Sequence, residues 1–140
     1  MTGLSLAGLD RQEETFAAAF AAGDLTIARP LYRPDVVYVS PTTRLFGWPP
    51  RIEGIDRTLE FIGLTIAGIG AISYAVDERA LVPGGGAYVK VRFDFDTAGA
   101  RRRSTYVVVY HYRDGGIARQ ELYYDPSGEF ERLPGGGGPR

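Results

Sequence analysis

The sequence predicts an α+β fold in which N-terminal helices cover one face of a curved antiparallel sheet. In the first half of the 140-residue chain, apolar residues recur at helical spacing. From Ala71 onward, apolar and polar residues alternate in long runs separated by short glycine-containing turns. Successive strands joined by short turns pair as an antiparallel meander. Three helices against one such sheet would form a cone with a cavity between the layers.

Three helices are predicted in the first half of the chain. The first covers residues 10–22, with Asp10 as its N-cap and Gly23 at its end. A shorter helix follows at residues 24–32, and the third covers residues 56–64. Their apolar positions lie on one side of each helix, as expected for helices that cover a sheet.

Strands are predicted on both sides of the third helix. Residues 36–40 are β-branched and aromatic and predict one short strand. The following loop, residues 41–51, carries Trp48 and is a candidate rim for a pocket. Four longer runs predict the sheet itself: residues 71–82, 87–96, 103–113 and 117–125.

Length and composition predict a single domain. A chain of this length with 44% hydrophobic residues can bury one core but not two. We expect the domain to span residues 1–132. Residues 133–140 are almost all glycine and proline, have little to bury, and are expected to form a flexible tail.

Charge and residue usage exclude several classes of function. Lys and Arg total 16 against 17 Asp and Glu, so the broad basic field that attracts nucleic acid is not expected. The chain has no cysteine and one histidine, which argues against a metal centre. Its glycines follow no nucleotide-binding pattern. We therefore expect no metal, no cofactor and no nucleic-acid partner.

The sequence also gives expectations about location and source. The N-terminus lacks a basic start followed by an apolar core, so no secretory signal is predicted. The longest apolar run, residues 61–72, is well short of the about 20 residues that cross a bilayer. We expect a cytoplasmic protein without a membrane partner. Lys90 is the only lysine, and the Arg, Ala and Gly usage is typical of a bacterial, GC-rich coding sequence.

Three segments resemble a known superfamily. They are FAAGDL at residues 20–25, PDVVYVSP at residues 34–41 and DGGIARQELYYDP at residues 114–126. Together they resemble the nuclear transport factor 2-like superfamily, in particular its SnoaL-like polyketide cyclase branch. The resemblance implies a cone-shaped, cystatin-like α+β barrel that binds a small apolar or aromatic molecule inside the cone.

The strand at residues 87–96 has one apolar face and one ionic face, because side chains alternate across a strand. Limonene epoxide hydrolases of this superfamily carry Arg-X-Asp on the matching strand, pointing into the cavity. Arg92 and Asp94 match that motif in type and spacing, so the resemblance implies catalytic roles for both. Val89, Phe93 and Phe95 would then face outward and form the interface of a homodimer. The alternative is a solvated ionic face.

The first strand carries a second match to these hydrolases. Their Tyr-X-Asn motif holds the attacking water, and Tyr38-Val39-Ser40 stands at its place. The base of the last strand is missing, because its position holds Leu122 and the nearby Glu121 belongs to the opposite face. The resemblance thus implies roles for Tyr38 and Ser40 without a complete set for epoxide opening.

Two other branches of the superfamily use different catalytic residues. The ketosteroid isomerase branch uses an Asp before a proline in the first strand and a Tyr in the first helix, where this chain has Ser40 and Phe16. SnoaL-like cyclases close rings by an aldol step that needs an acidic residue and a shaped apolar pocket. Asp94 is the candidate acid for that step.

Aromatic and polar residues are expected along the cavity, where tyrosines suit oxygenated ligands. Strand parity and the resemblance together imply this substrate-binding set: Phe16, Phe20, Trp48, Tyr106, Tyr110, Gln120, Leu122 and Tyr124. His111 has the opposite parity and is expected on the exterior.

These observations favour a cofactor-independent enzyme that performs acid/base chemistry on an apolar or aromatic substrate. Polyketide cyclase, isomerase and epoxide hydrolase reactions all remain open. The catalytic set would be Asp94, Arg92, Tyr38 and Ser40. The alternative is a non-catalytic module of the same fold that binds a small ligand or dimerises.

Overall fold

A computed structural model of the chain describes residues 4–124 and 131–133. Two α-helices and two 3-10 helices precede the last five strands, and the first two strands lie among them. The helical elements are α1 (Leu6–Ala22), a 3-10 helix (Leu25–Leu31), a second 3-10 helix (Pro41–Phe46) and α2 (Ile55–Ile66). The strands are β1 (Tyr32–Val39), β2 (Arg51–Glu53), β3 (Gly70–Val82), β4 (Gly86–Thr97), β5 (Ala100–Arg113), β6 (Gly116–Tyr123) and β7 (Glu131–Arg132). The predicted α+β fold is confirmed.

Helix α1 begins one turn earlier than its sequence pattern predicts. Its N-cap is Ser5, whose Oγ accepts a hydrogen bond from the Gly8 amide at 3.0 Å. The assignment of Asp10 as the N-cap is therefore wrong. Asp10 lies inside the helix and forms an ion pair with Arg79 of β3 at 2.6 Å, which ties the helix to the sheet. Gly23 ends the helix in the left-handed conformation, with φ of 66°.

The segment after α1 is a 3-10 helix that passes directly into β1. Pro30 lies inside it and supplies no backbone N–H, which explains why no regular α-helix forms. Asp24 caps the segment by accepting from the Thr26 amide at 3.0 Å. Strand β1 starts at Tyr32, four residues before the predicted start.

The main sheet has the order β2-β1-β6-β5-β4-β3, and β7 pairs with β5. Strands β3 to β6 form the predicted antiparallel meander, whereas β1 joins β6 in parallel. Register shifts with extra residues in β1, β3 and β6 mark bulges, which bend strands. The result is a curved, open sheet whose concave face holds the helices.

The register of β4 and β5 decides which side chains face the helices. Phe93 lies opposite Ser104, Val91 opposite Tyr106, and directly opposed residues share a face. Val89, Val91, Phe93 and Phe95 are all buried, and the Phe93 ring lies 5.2 Å from the Phe20 ring of α1. The expectation that these residues face outward is therefore wrong, because burying them provides the apolar floor that α1 needs.

The outer face of the sheet carries the ionic residues of β4. Asp94 pairs with Arg103 at 2.7 Å, and Asp96 pairs with Arg101 at 3.1 Å. Arg92 pairs with Asp77 of β3. The alternative of a solvated ionic face thus describes this strand, and the expectation that Arg92 and Asp94 point into the cone is wrong. Homodimer formation stays a prediction. The apolar residues that were expected to form its interface are buried inside the domain.

The expected flexible tail begins at Leu133. Leu133 donates its backbone N–H to the Arg101 carbonyl at 2.8 Å, and the rest of the expected flexible tail lies outside the described residues. Within the described part of the chain, no helix has the length and apolar character needed to span a membrane.

Candidate functional site

A cavity of about 300 Å³ lies between α1, α2, the second 3-10 helix and the concave face of the sheet. Its wall is mainly aromatic and aliphatic, with hydroxyl groups as its polar members. The lining residues are Phe20, Tyr38, Ser40, Thr42, Leu45, Phe46, Phe61, Ile62, Thr65, Ile66, Ile69, Phe93, Phe95, Ser104, Tyr106, Leu122 and Tyr124. A space of this size and character suits one small organic molecule.

Four hydroxyl side chains from β1, from β5 and from the residues directly after β1 and β6 line the cavity, and we call them the hydroxyl cluster: Tyr38, Ser40, Tyr106 and Tyr124. Tyr38 lies near the end of β1, and Ser40 directly follows the strand with an extended backbone, so alternation directs both to the same face. Tyr106 comes from β5, and its ring lies 5.7 Å from that of Tyr124, which follows β6. The parallel pairing of β1 with β6 brings these segments together.

Burial is the main cause of the shifted pKa values in the hydroxyl cluster. It raises the pKa values of Tyr38, Tyr106 and Tyr124 above the usual value for tyrosine. Each of Tyr38 and Tyr124 also raises the pKa of Tyr106, because two phenolates cannot easily coexist there. Ser40 opposes the rise at Tyr38 and Tyr124 through a hydrogen bond. The phenols therefore stay protonated at neutral pH and can donate hydrogen bonds to a ligand oxygen.

The 3-10 helix Pro41–Phe46 forms the mouth of the cavity. Ser40 caps it by accepting from the Thr42 amide at 3.2 Å, so one residue serves both the cap and the hydroxyl cluster. Leu45 and Phe46 line the cavity and are also exposed to solvent. The Phe46 ring meets Phe61 of α2 edge-on at 5.7 Å. An apolar ligand bound at this mouth would cover the exposed surface of Leu45 and Phe46.

The structure brings six of the predicted site residues to the cavity wall: Phe20, Tyr38, Ser40, Tyr106, Leu122 and Tyr124. The parity predicted for β5 and β6 is confirmed by this arrangement and by the exposed, outward His111. Glu121 also lies on the outer face, opposite Val109, as its parity predicts.

Four other predicted residues lie next to the cavity without lining it. Phe16 and Tyr110 stack in the core at 6.2 Å, and Gln120 accepts a hydrogen bond from the Tyr32 hydroxyl at 2.6 Å. Trp48 packs on Phe61 at 5.2 Å. These residues support the wall and would not contact a ligand.

Asp94 and Arg92 lie outside the cone, as the register requires. The hydrogen bond from Arg103 lowers the pKa of Asp94 below its usual value, which makes its carboxylate a poorer base. Nε and Nη2 of Arg103 donate to the two oxygens of the Asp94 carboxylate at 2.7 and 3.0 Å. Neither Asp94 nor Arg92 lines the cavity.

Sequence reasoning missed one buried acid, Glu13 of α1. It is 5% exposed and is the only buried carboxyl group among the described residues. It accepts hydrogen bonds from the hydroxyls of Tyr74 and Tyr110, the latter at 2.9 Å, and from Gln12 Nε2 at 3.0 Å. The sequence contained a signal, because Glu13 falls at helical spacing from Phe16 on the apolar side of α1.

Burial raises the pKa of Glu13 above the usual value for glutamate, and it outweighs the opposing effect of the three hydrogen bonds. Gln12, which donates to Glu13, is itself held by the Tyr112 hydroxyl at 2.8 Å. Glu13 thus belongs to a connected set of polar side chains under α1. Within the described residues, no cluster of three potential metal ligands occurs.

Comparisons with solved structures place the fold among known ones. A nuclear transport factor 2-like protein from Anabaena variabilis matches with a TM-score of 0.72 and 18% identity, over 91% of this chain and 96% of that one. A candidate polyketide cyclase from Pseudomonas putida matches with a TM-score of 0.61 and 19% identity, over 82% and 90%. An LEH-like epoxide hydrolase from Mycobacterium tuberculosis matches with a TM-score of 0.62 and 20% identity, over 82% and 80%. At these identities the likeness concerns the fold alone.

Comparison of the sequence with known families gives a more specific result than the comparison of folds. No curated protein sequence matches the chain. Residues 13–120 match the sequence model of the SnoaL-like domain. That segment runs from the buried acid of α1 to the middle of β6 and includes most of the cavity wall. The chain therefore belongs to the SnoaL-like domain family.

Proposed function

We propose that this protein is a cofactor-independent enzyme that binds a small aromatic or apolar molecule through a carbonyl oxygen and moves a proton on it. The observation that carries the proposal is the hydroxyl cluster in a cavity whose wall is mainly apolar. The SnoaL-like family and its structural neighbours include enzymes of polyketide cyclisation and epoxide opening, which supports an enzymatic role.

The hydroxyl cluster suits chemistry in which negative charge develops on oxygen. Removal of a proton next to a carbonyl group shifts charge to the carbonyl oxygen, and aldol cyclisation and isomerisation both pass through such a state. Fixed phenol donors stabilise that charge better than solvent does, because they do not have to reorient during the reaction. The raised pKa values of Tyr38, Tyr106 and Tyr124 keep all three groups in the donor form.

Carbonyl chemistry is favoured over epoxide opening. Water addition to an epoxide needs a carboxylic acid for the leaving oxygen and a base for the water, both within reach of the substrate. Asp94, the carboxyl group proposed for that role, lies on the outer face of the sheet. Among the described lining residues the polar groups are hydroxyls, which polarise a carbonyl group without needing to change charge.

A non-catalytic binding module is the second candidate. One observation favours it, because the described lining residues include no Asp, Glu, His, Lys or Arg side chain that could act directly as a strong base. Binding and catalysis therefore need separate measurements.

Binding is tested with 2-naphthol and naphthalene, which differ by one hydroxyl group, using calorimetry. One hydrogen bond contributes about 0.5–1.5 kcal/mol, so naphthol should bind about 2- to 13-fold more tightly. Tyr106→Phe should reduce that preference. Tyr88→Phe, on the outer face of β4, is the matched control and should leave it unchanged. Equal affinity for the two probes would contradict the proposed role of the hydroxyl cluster.

Catalysis is tested with 2-tetralone in D₂O, because loss of the proton next to its carbonyl group appears in NMR as deuterium exchange. Wild-type protein should accelerate the exchange above the buffer rate, and Tyr106→Phe should reduce the acceleration. Tight binding of naphthol without any acceleration would favour the binding module instead.

A further inference from the structure

A second space, which we call the α1–α2 groove, adjoins the cavity at the C-terminal ends of α1 and α2. It has a volume of about 480 Å³ and also borders the start of β3. Its described lining residues are Phe20, Ala21, Ala22, Gly23, Asp24, Leu25, Gly63, Ile66, Ala67, Ile69, Gly70, Ala71 and Ile72. Three of these, Phe20, Ile66 and Ile69, also line the cavity. Their side chains therefore border the cavity on one side and the groove on the other.

The order of the strands gives the cavity and the groove a common direction. The hydroxyl cluster lies over β1, β5 and β6, whereas the groove begins at the start of β3. Phe93 and Phe95 of β4, which lies between β5 and β3, form the floor of the cavity. Neighbouring strands lie about 4.8 Å apart, so about 10 Å separates β5 from β3. A ligand that extends from the hydroxyl cluster across β4 thus reaches the groove.

Gly63 keeps the groove open on the side of α2. It lies inside α2, where glycine makes a helix less stable than alanine does. A close neighbouring element can require glycine in a helix, but a Cβ atom at Gly63 would meet no atom of another element within 4 Å. Packing within the described structure therefore does not require glycine here. A ligand chain lying in the groove would need this space.

The connection from α2 to β3 can let a chain pass from the cavity to the groove. Ile69 lies there between Gly68, with φ of 93°, and Gly70. Because glycine adopts many backbone conformations, small rotations at its two neighbours displace the Ile69 side chain. Phe20 is held more firmly, by the rings of Tyr74 at 5.4 Å and Phe93 at 5.2 Å. Passage beside Ile69 would leave these aromatic contacts in place.

The charges around the groove determine which chain end it favours. The C-terminal ends of α1 and α2 border it, and a helix C-terminus presents carbonyl groups without helical partners and a partial negative charge. Neither helix has a basic residue in its last turn. The Asp24 carboxylate adds negative charge, and no Lys, Arg or His occurs among the described residues that line the groove. The groove therefore favours a cationic or hydrogen-bond-donating group and repels an anionic one.

We propose that the substrate is an elongated carbonyl compound whose oxygen binds at the hydroxyl cluster and whose apolar chain passes Ile69 into the α1–α2 groove. The chain ends in an amine or another hydrogen-bond donor and not in an acid. This inference rests on the proposed function, which places the carbonyl end of the substrate. The groove contacts no reacting atom and is a subsite that selects substrates by the length and charge of the chain.

Calorimetry with 2-naphthol and 6-hexyl-2-naphthol tests the chain subsite. The hexyl chain is attached at the end of the ring system away from the hydroxyl group, so it points toward the groove when the hydroxyl group meets the hydroxyl cluster. Burying one methylene group raises affinity about fourfold, and ordering the chain offsets part of that gain. The wild type should therefore bind 6-hexyl-2-naphthol about tenfold more tightly than 2-naphthol. Equal affinities would overturn the inference.

Gly63→Leu blocks the groove, and Gly63→Ala is its matched control. Both variants place a better helix former inside α2, so both should unfold at higher urea concentrations than the wild type. Gly63→Leu should lose the gain from the hexyl chain and keep its affinity for 2-naphthol within about twofold, since Gly63 does not line the cavity. Gly63→Ala adds one methyl group and should keep most of the gain. An unchanged gain in Gly63→Leu would contradict a chain in the groove.

The preferred chain end is tested by replacing the hexyl chain with an aminohexyl or a carboxypentyl chain. Both helix ends and Asp24 favour the amine, which should bind about tenfold more tightly than the acid at low salt. Added salt should reduce this ratio, because the groove is open to solvent. Asp24→Asn can still cap the Thr26 amide and should reduce the ratio about threefold without changing the affinity for 6-hexyl-2-naphthol. A preference for the acid would overturn the proposed chain end.

NMR of the alanine methyl groups locates the chain without any variant and separates this inference from the proposed function. Binding of 6-hexyl-2-naphthol should shift the signals of Ala22 and Ala67 in the groove, and 2-naphthol should shift neither. If the chain shifts both signals although 2-naphthol binds no better than naphthalene, the subsite stands and the proposed role of the hydroxyl cluster fails. If 2-naphthol is preferred but the chain shifts neither signal, the subsite fails alone. Absence of binding by every compound would overturn both.

Discussion

Phe93 on β4 lies directly opposite Ser104 on β5, and both side chains line the cavity. The next pair along the ladder, Asp94 and Arg103, must then lie on the outer face. This register places an apolar floor under the ligand site and leaves the ionic residues of β4 in an ion-pair network outside it.

Asp94→Asn should leave the cavity unaffected. We expect the affinity for 2-naphthol to stay within about twofold of the wild type. The loss of stability at pH 7 should be below about 1 kcal/mol, because the pair with Arg103 is partly exposed. The pKa of Asp94 is lowered in the folded protein, so its contribution is present above about pH 4 and disappears as the pH falls through the folded pKa. Urea denaturation at several pH values checks this. A tenfold weaker affinity would contradict the outward placement of Asp94.

The sequence could predict the strands and their alternation but not which face of β4 is buried. Four apolar residues alternate with four ionic ones there, so either face satisfies the local pattern. The choice depends on long-range partners, since Phe20 of α1 packs on Phe93 and Arg103 of β5 reaches Asp94. For β5 and β6 the pattern was less symmetric, and the predicted cavity face of Tyr106 and Leu122 is confirmed.

Ser40→Ala should affect both stability and ligand binding, because Ser40 caps the 3-10 helix at the cavity mouth and belongs to the hydroxyl cluster. Losing a cap costs about 1 kcal/mol. Ser5→Ala is the matched control, since Ser5 caps α1 and does not line the cavity. Denaturation should show similar losses in both variants, whereas calorimetry should show weaker binding of 2-naphthol only in Ser40→Ala. Equal affinities in the two variants would argue against a ligand contact at Ser40.

Phe20→Leu should widen the cavity toward α1. Phe20 lines the cavity, and its ring also forms part of a groove near the C-terminal ends of α1 and α2. We expect the affinity for the three-ring 9-phenanthrol to rise several-fold relative to 2-naphthol. Phe16→Leu, in the core behind the wall, should lose comparable stability without this change in size preference. The same preference in both variants would show that Phe20 does not limit ligand size.

Glu13 illustrates what a sequence pattern cannot reveal about a titratable group. Its helical spacing places it on the buried side of α1, but its partners Tyr74 and Tyr110 come from strands 61 and 97 positions away. A buried carboxyl group is costly unless such donors surround it. The donors become visible only when α1 is docked on the sheet.

Stability measurements should reveal the protonation of Glu13 directly. Its folded pKa is raised above the usual value of 4.5, so its contribution to stability is fully present below that pH and is lost as the pH rises through the folded pKa. Glu13→Gln cannot ionise at this position. The free energy of unfolding of Glu13→Gln minus that of the wild type should therefore increase as the pH rises from about 4 to 8, because only the wild type loses stability. A constant difference across that range, measured by urea denaturation, would show that Glu13 keeps its ordinary pKa.

Two threonine side chains carry buried hydroxyl groups. Within the described residues, Oγ1 of Thr42 and Oγ1 of Thr58 have no hydrogen-bond partner. A buried polar atom without a partner costs about 1–3 kcal/mol, and valine has nearly the same shape as threonine. Thr42→Val and Thr58→Val should therefore unfold at higher urea concentrations than the wild type.

The two variants should differ in ligand binding, because Thr42 lines the cavity beside Ser40 and Thr58 does not. A ligand oxygen near Ser40 would give the Thr42 hydroxyl the partner it lacks in the free protein. Thr42→Val should thus gain stability and lose affinity for 2-naphthol, whereas Thr58→Val should gain stability alone. Reduced stability in both variants would mean that each hydroxyl has a partner. Unchanged affinity in Thr42→Val would instead limit the oxygen-binding groups to the hydroxyl cluster.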